Sequence, residues 1–341
     1  MGPNQKSTMK KTLFLFSSAL LCLNVSAQET EPTGKQKFQS AIADKFPFAR
    51  VFDVKYVQYL PKDFDSKLFD ENFIDGRIKG QGKLNIAANV PVIMKPKWNI
   101  TASAAYKYEF ADIEGVKNPA GIAQPFFDKK QEFHYLSAAL SFTYFSKLFG
   151  KPFIYNASFI ADGDERAAQR IKGFVGGTIV LKVNAKTKIA TGLIILIDPA
   201  SPVPAAPVFT LEHKFNSGWV VDIILPQRMF IKHDVFANGR LSLGTELIAD
   251  GFYLNTSQPG FAKVYDYRQL ETRSGATYEH WFGDGLIGTF KVGLANVFNS
   301  RITERGENTN DYIFSTTQNG TGYFSLGFSY NPFTKRGNKA K

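Results

Sequence analysis

The chain has one cysteine, Cys22, in 341 residues, and it lies in an N-terminal stretch that reads as a removable address. No disulfide and no cysteine-ligated metal is therefore expected in the mature protein. Beyond that stretch there is no apolar run of 18 residues, and the mean hydropathy of −0.18 is too polar for a bundle of membrane helices. There is no Lys/Arg-rich block, so the formal charge of +11 does not read as a nucleic-acid site. No glycine-rich phosphate loop stands before a helix, because Gly173, Gly176 and Gly177 fall inside a strand pattern.

The first residues carry the features of a secretory signal. Lys10 and Lys11 precede the apolar run Leu13 to Leu23, and Val25-Ser26-Ala27 follows with small residues at the two positions a signal peptidase inspects. Met9 reads as the natural start and Gln28 as the first mature residue. The run of about 11 residues is too short for a membrane-spanning helix, which needs about 20. Leu20 and Leu21 stand before Cys22 where a lipoprotein signal wants small residues. Removing Lys6, Lys10 and Lys11 from the 41 basic residues leaves 38 against 30 acidic, a net +8.

What the chain does have is alternation. From Arg77 to Val90, Ile78, Gly80, Gly82, Leu84, Ile86, Ala88 and Val90 share one parity, and Arg77, Lys79, Gln81, Lys83, Asn85 and Asn89 share the other. After Pro91 to Pro96 the pattern restarts with Trp98, Ile100, Ala102, Ala104, Tyr106, Tyr108 and Phe110. Two such runs joined by a turn are antiparallel strands, apolar on one face and polar on the other. Both exceed the usual 5 to 6 residues of a soluble strand and suit the roughly 9 to 11 that cross a bilayer at a tilt.

The same pattern predicts strands at 48–59, 76–90, 97–111, 131–147, 152–162, 170–184, 187–197, 207–215, 218–226, 229–237, 239–254, 265–281, 286–299 and 320–331. The expectation is an all-β fold: a transmembrane antiparallel up-and-down β-barrel of about 14 strands. Short and long connections alternate, as periplasmic turns and external loops do in outer-membrane barrels. Only the link at Pro226 to Arg228 is short where a long one is due; a merger there gives twelve strands. A soluble β-sandwich with the apolar stripes turned inward is the alternative. Tyr106, Tyr108, Phe110, Tyr144, Phe145, Trp219, Trp281 and Phe282 lie near predicted strand ends, where aromatic girdles belong. Phe324, Leu326, Phe328 and Tyr330 form an amphipathic closing strand of the kind that barrel-assembly machinery recognises. The organisation expected is a signal peptide at 1–27 with an N-terminal extension, a periplasmic lead-in at 28–47, the barrel at 48–333 and a tail at 334–341.

Leu60-Pro61, Gly76-Arg77-Ile78-Lys79-Gly80-Gln81-Gly82, Lys95-Pro96-Lys97-Trp98-Asn99-Ile100 and Leu225-Pro226-Gln227, after a signal ending Ser26-Ala27-Gln28, together resemble outer-membrane β-barrel proteins of the Bacteroidota that share a domain of unknown function. The resemblance covers most of the mature chain. It implies an outer-membrane location and a barrel, and it supplies no catalytic residue.

With the apolar parity facing lipid, the other lines the lumen. Its charges sort into a basic wall of Arg77, Lys79, Lys83, Lys107, Arg170, Lys172, Lys182 and Lys188, set against Glu109. The opposite wall leans acidic, with Glu212, Asp222, Asp234, Glu246, Asp250, Glu271 and Glu279 among Lys214, Lys232, Arg240, Arg273 and Lys291. Facing walls of opposite sign either set up a transverse field that selects polar solutes or pair across the lumen and stiffen the barrel. The lumen is open, or it is plugged by 112–130 or 300–319.

Three classes of function compete. The leading one is a passive channel or carrier for small polar or anionic solutes. An outer-membrane scaffold that binds a periplasmic or surface partner through loops such as 300–319 is the second. A hydrolase is the third, with His134 near Glu132, His213 near Ser217, His233 beside Asp234 and His280 beside Glu279 as candidates. Neighbours on a strand point to opposite faces, so the last two pairs cannot meet. No nucleophile–base–orienter set is visible. Asp162-Gly163-Asp164-Glu165 lacks EF-hand spacing and reads as a solvated acidic turn. No catalytic residue, metal or cofactor is expected; the partners are membrane lipid and the assembly machinery.

Overall fold

Two-faced strands in lipid leave no tolerable sheet edge, so a chain of them has to close on itself. The computed structural model describes residues 49–332 apart from Pro199 and Pro202, and the sheet in it closes. The strands are β1 (Phe52–Tyr59, continuing as Lys62–Leu68), β2 (Glu71–Met94), β3 (Trp98–Lys117), β4 (Lys130–Leu148), β5 (Lys151–Gly163), β6 (Ala168–Val183) and β7 (Thr187–Ile197). They continue as β8 (Ala205–Lys214), β9 (Val220–Leu225), β10 (Arg228–Val235), β11 (Gly239–Asn255), β12 (Val264–Gly283), β13 (Leu286–Glu304) and β14 (Phe314–Gln318, continuing as Thr321–Tyr330). Each pairs antiparallel with its sequence neighbours, and β1 pairs with β14 from Phe52↔Tyr330 to Leu68↔Phe314. The register along β2 is unbroken across Leu60-Pro61, because Tyr59↔Gln81 and Lys62↔Ile78 lie on one diagonal.

The barrel thus has fourteen strands. Pro226 and Gln227 alone separate β9 from β10, which pair from Val220↔Lys232 to Ile224↔Arg228, so no merger occurs. The first and last strands fall inside the expected 48–333. The signal peptide at 1–27, the cleavage before Gln28, the lead-in at 28–47 and the tail at 334–341 lie outside the described residues.

Strand extends into the connections expected over 60–75, 112–130 and 300–319, through 62–68 and 71–75, through 112–117, and through 300–304 and 314–318. β1 and β2 meet in a two-residue turn, Phe69 and Asp70, both with positive φ (51° and 65°), which matches the twist of the hairpin. β2, β3, β12 and β13 are 24, 20, 20 and 19 residues long, against 6 and 8 for β9 and β10. One side of the barrel therefore stands tall, and the other is low.

Burial is inverted relative to a soluble sandwich. Among the described residues the most enclosed side chains include Arg50, Glu271 and Asp222, whereas Leu140 and Leu294 are 52% and 62% exposed. Apolar side chains face outward from every sector, as lipid demands. Two aromatic belts bound this surface. On β3 and β4 one belt is Trp98, Phe142 and Tyr144, and the other is Tyr106, Tyr108 and His134. About ten residues separate them along each strand, the length of a tilted bilayer crossing. Trp281 departs from the girdle expectation: it is buried on the lumen side, under the Arg240 guanidinium at 5.0 Å.

At the long-loop end the polarity flips. Tyr59 and Lys62 on β1, and Gln81 and Ile78 on β2, are buried pairs three residues apart, so the alternation slips by one residue in both strands. Beyond the slip Phe64, Ile78 and Val116 pack together, and Asp63, Asp65, Lys67, Asp75, Arg77 and Lys79 are exposed. Charged outward faces mark a rim that stands in water.

Leu140→Arg puts a cation on the lipid face near mid-strand and is expected to destabilise the refolded barrel by about 2–4 kcal/mol. Phe126→Arg, in the connection between β3 and β4 and 77% exposed, is expected to leave stability unchanged. Urea titration in lipid vesicles reads both.

Candidate functional site

The lumen-facing side chains of β4 and β11 meet. These strands are seven positions apart around the barrel in either direction, so the contact crosses a full diameter. The Phe133 and Phe252 rings stack at 3.9 Å, and Phe252 stacks on Tyr267 of β12 at 4.4 Å. Tyr135 and Tyr253 lie parallel at 6.2 Å, and both hydroxyls donate to Asp162 of β5 at 2.6 Å. Lys172 of β6 completes this group as an ion pair to the same carboxylate. The barrel is pinched at this level into two lobes.

Ion pairs fill the interior on both sides of the pinch. Asp250 of β11 takes Lys107 of β3 at 2.8 Å and Lys83 of β2 at 3.2 Å, both across the lumen. Lys83 also meets Glu109 at 3.1 Å. Tyr59 and Arg273 converge on Glu271, and Lys291 meets Glu246 at 2.8 Å. Nearer the short turns, Glu279 is held by Arg50 and Arg240, each at 2.6 Å, and Asp222 by Arg228 and Lys232. Charges removed from water are tolerated only when paired in this way. Toward the long loops, Arg170 of β6 meets Asp266 of β12 at 2.9 Å and Asp198 at 3.4 Å.

The loop after β13 folds over the long-loop mouth. Thr309 Oγ1 donates to the Ala200 carbonyl at 3.0 Å, Asn308 Nδ2 to that of Ser201 at 3.4 Å, and Arg305 to Gln169 Oε1 at 2.9 Å. Between this cover and the pinch remains a cavity of about 300 Å³, with Lys107, Arg170, Lys172, Arg268, Asp250 and Asp266 in its wall.

The proposed basic wall is thus only partly a lumen wall. Lys83, Lys107, Arg170 and Lys172 face inward and are ion-paired. Arg77 and Lys79 sit past the slip in β2 and are exposed on the outside of the rim, where Lys79 lies 3.7 Å from Glu114. A register irregularity between Val180 and Lys182 sets Lys182 opposite Ile189, and its side chain is exposed. Lys188 pairs with Glu212 of the neighbouring strand at 2.7 Å, near the short-turn mouth. In the acidic wall, Asp222, Glu246, Asp250, Glu271 and Glu279 are interior and salt-bridged, whereas Asp234 is exposed at the last turn of β10.

Asp162, expected in a solvated acidic turn, is instead the hub of the pinch, and it shares the polar parity of β5 with Ser158. Asp164 accepts from the Arg166 and Ala167 amides, which makes it a turn cap. No cluster of metal-ligating side chains occurs among the described residues. The four histidines face outward into the aromatic belts. His134 lies against Tyr106 and Tyr108, His213 against Phe215, His233 against Trp219 and His280 against Phe282. Glu279 turns the other way, into the lumen.

Asp162→Ala strands Lys172 and two tyrosine hydroxyls, and is expected to cost about 3–5 kcal/mol in urea titration, as for a broken buried pair. Glu132→Ala, which removes the exposed partner of Lys130, is expected to give no measurable change.

Comparison of the sequence with protein-family models and with curated proteins gives no match. Among solved structures, a Pseudomonas aeruginosa FadL homologue aligns with TM-score 0.41 and 9% identity over 83% of this chain and 90% of that one. An outer membrane channel from Pseudomonas putida F1 aligns at 0.36 and 10%, over 81% and 93%. The transport unit of the Escherichia coli autotransporter AIDA-I aligns at 0.34 and 10%, over 89% and 100%. All three are barrels, and the likeness carries no information about a solute.

Proposed function

We propose that this chain is an outer-membrane β-barrel of a Gram-negative bacterium, exported through a signal cleaved near Ala27. In this reading it serves as a conduit or carrier for small polar or anionic solutes, and the cross-lumen bridges hold it shut. The observation that carries the reading is the charged interior with a cation-rich cavity under the loop cover, inside an apolar shell. Apolar lipid on the outside explains the shell, but a barrel needed only as a wall has no use for a cavity lined by four cations. The short-turn end, where β1 begins and β14 ends, faces the periplasm, and the tall rim faces outward. Phe324, Leu326, Phe328 and Tyr330 on β14 offer the assembly machinery its amphipathic closing strand.

A second reading has one observation in its favour. The rim presents charged side chains outward from β1 and β2, well beyond the lipid belt, a surface suited to holding a partner outside the cell. Surface cross-linking on intact cells tests it: a reproducible adduct lost on Arg77→Glu with Lys79→Glu supports a scaffold.

In planar bilayers the refolded protein is expected to show no steady conductance. The double variant Asp162→Ala with Asp250→Ala is expected to conduct, with a reversal potential that shows anion preference in a salt gradient. A folded double variant that stays silent or prefers cations contradicts the conduit.

A further inference from the structure

The cations around the outer cavity are not equally committed. Lys107 is 2.8 Å from Asp250, Arg170 is 2.9 Å from Asp266, and Lys172 is bound still more closely to Asp162. Arg268 of β12 differs. Its Nη2 is 3.5 Å from Asp198 and 3.6 Å from Asp266, and this one nitrogen is shielded from solvent without a hydrogen-bond acceptor, while the side chain as a whole is half-buried. A charge-assisted N–H···O contact is normally about 2.7–2.9 Å. A buried guanidinium nitrogen without an acceptor is costly, so it gains by turning to any anion that enters. Arg170 Nε in the same wall also has no acceptor.

The rest of the cavity limits what that anion carries. Its volume of about 300 Å³ is at the low end of ligand pockets and suits roughly ten non-hydrogen atoms. Phe252, Tyr253, Tyr267 and Leu270 contribute aromatic and apolar surface to it. Asp250 and Asp266 in the wall disfavour a second negative charge close by.

We propose that this cavity is a binding site for a small monocarboxylate with a cyclic or aromatic body, and that Arg268 is the specificity-determining cation that receives the carboxylate in its planar fork. The inference rests on the reading of the lumen as a path for anionic solutes, and it names the solute class and the residue that reads it. Lys107, Arg170 and Lys172 keep their partners and tie the walls together. Arg268 is the group that exchanges two long contacts for two short ones.

The test is isothermal titration of benzoate into the refolded protein in micelles, with the micelle blank subtracted and benzyl alcohol as the neutral isostere. Benzoate is expected to bind the unaltered barrel, and benzyl alcohol is not. Arg268→Gln is expected to weaken benzoate by roughly tenfold or more, the loss that follows from one charge-assisted contact. Arg268→Lys, which keeps the charge and loses the fork, is expected to fall between. Heat-modifiable mobility on a denaturing gel shows that each variant has folded. Equal benzoate affinity in the folded Gln variant, or no benzoate binding by the unaltered barrel, overturns the site. The conductance of the Asp162, Asp250 double variant does not depend on Arg268. A barrel that conducts but takes no benzoate therefore overturns the site alone, and one that binds benzoate through Arg268 while the double variant stays silent overturns only the conduit.

Discussion

Lipid offers no hydrogen bonds, and that one constraint orders the rest of this molecule. Backbone groups at a sheet edge would be unsatisfied in the bilayer, so the last strand has to return to the first. Residues 52–68 and 314–330 do this along their whole lengths, across a short interruption of strand at 60–61 and at 319–320. Once the sheet is closed, alternate side chains have no choice of surroundings. Leu140 meets lipid, and its neighbours on the other parity meet a lumen too narrow to be bulk water.

The pinch follows from that narrowness. Long charged side chains from opposed walls leave water together, and each carboxylate then needs cations within reach. Asp250, drawing on β2 and β3 from β11, and Asp162, drawing on β4, β6 and β11, each tie several strands at once. A hub carboxylate with several partners orders fewer side chains per contact than the same number of isolated pairs. The Phe133–Phe252–Tyr267 stack adds a dry contact at the same level. The barrel is therefore stiff where it crosses the membrane, and a cavity of about 300 Å³ lies under the loop cover.

The fold was legible in the sequence because alternation at period two is a local signal, and closure turns that signal into architecture with few choices left. The strand count and the antiparallel order follow from the alternating runs and the short links between them. The lumen lining was legible only where alternation holds. Lys83 and Lys107 lie on an unbroken stretch and fall inside, as parity requires. Arg77 and Lys79 lie past a one-residue slip that carries no marker beyond Gly80, so parity counted through it puts them on the wrong face. Trp281 shows a different limit: an aromatic near a strand end suggests a girdle, but its parity with Glu279 already pointed inward. Asp162 and Arg268 matter through partners 91 and 70 residues away, Tyr253 and Asp198, and pairing at that range follows from barrel closure rather than from any local pattern.

The contact across the full diameter is the feature on which the closed lumen depends, and it can be measured directly. The mature chain is expected to carry no cysteine, so Phe133→Cys with Phe252→Cys places two thiols on opposed walls without background. Treatment of the folded barrel with a short-arm thiol cross-linker is predicted to join β4 to β11 in high yield, seen as altered mobility after denaturation. Cross-linking by long-arm reagents alone, with the short arm unreactive, would show an open lumen and contradict the account.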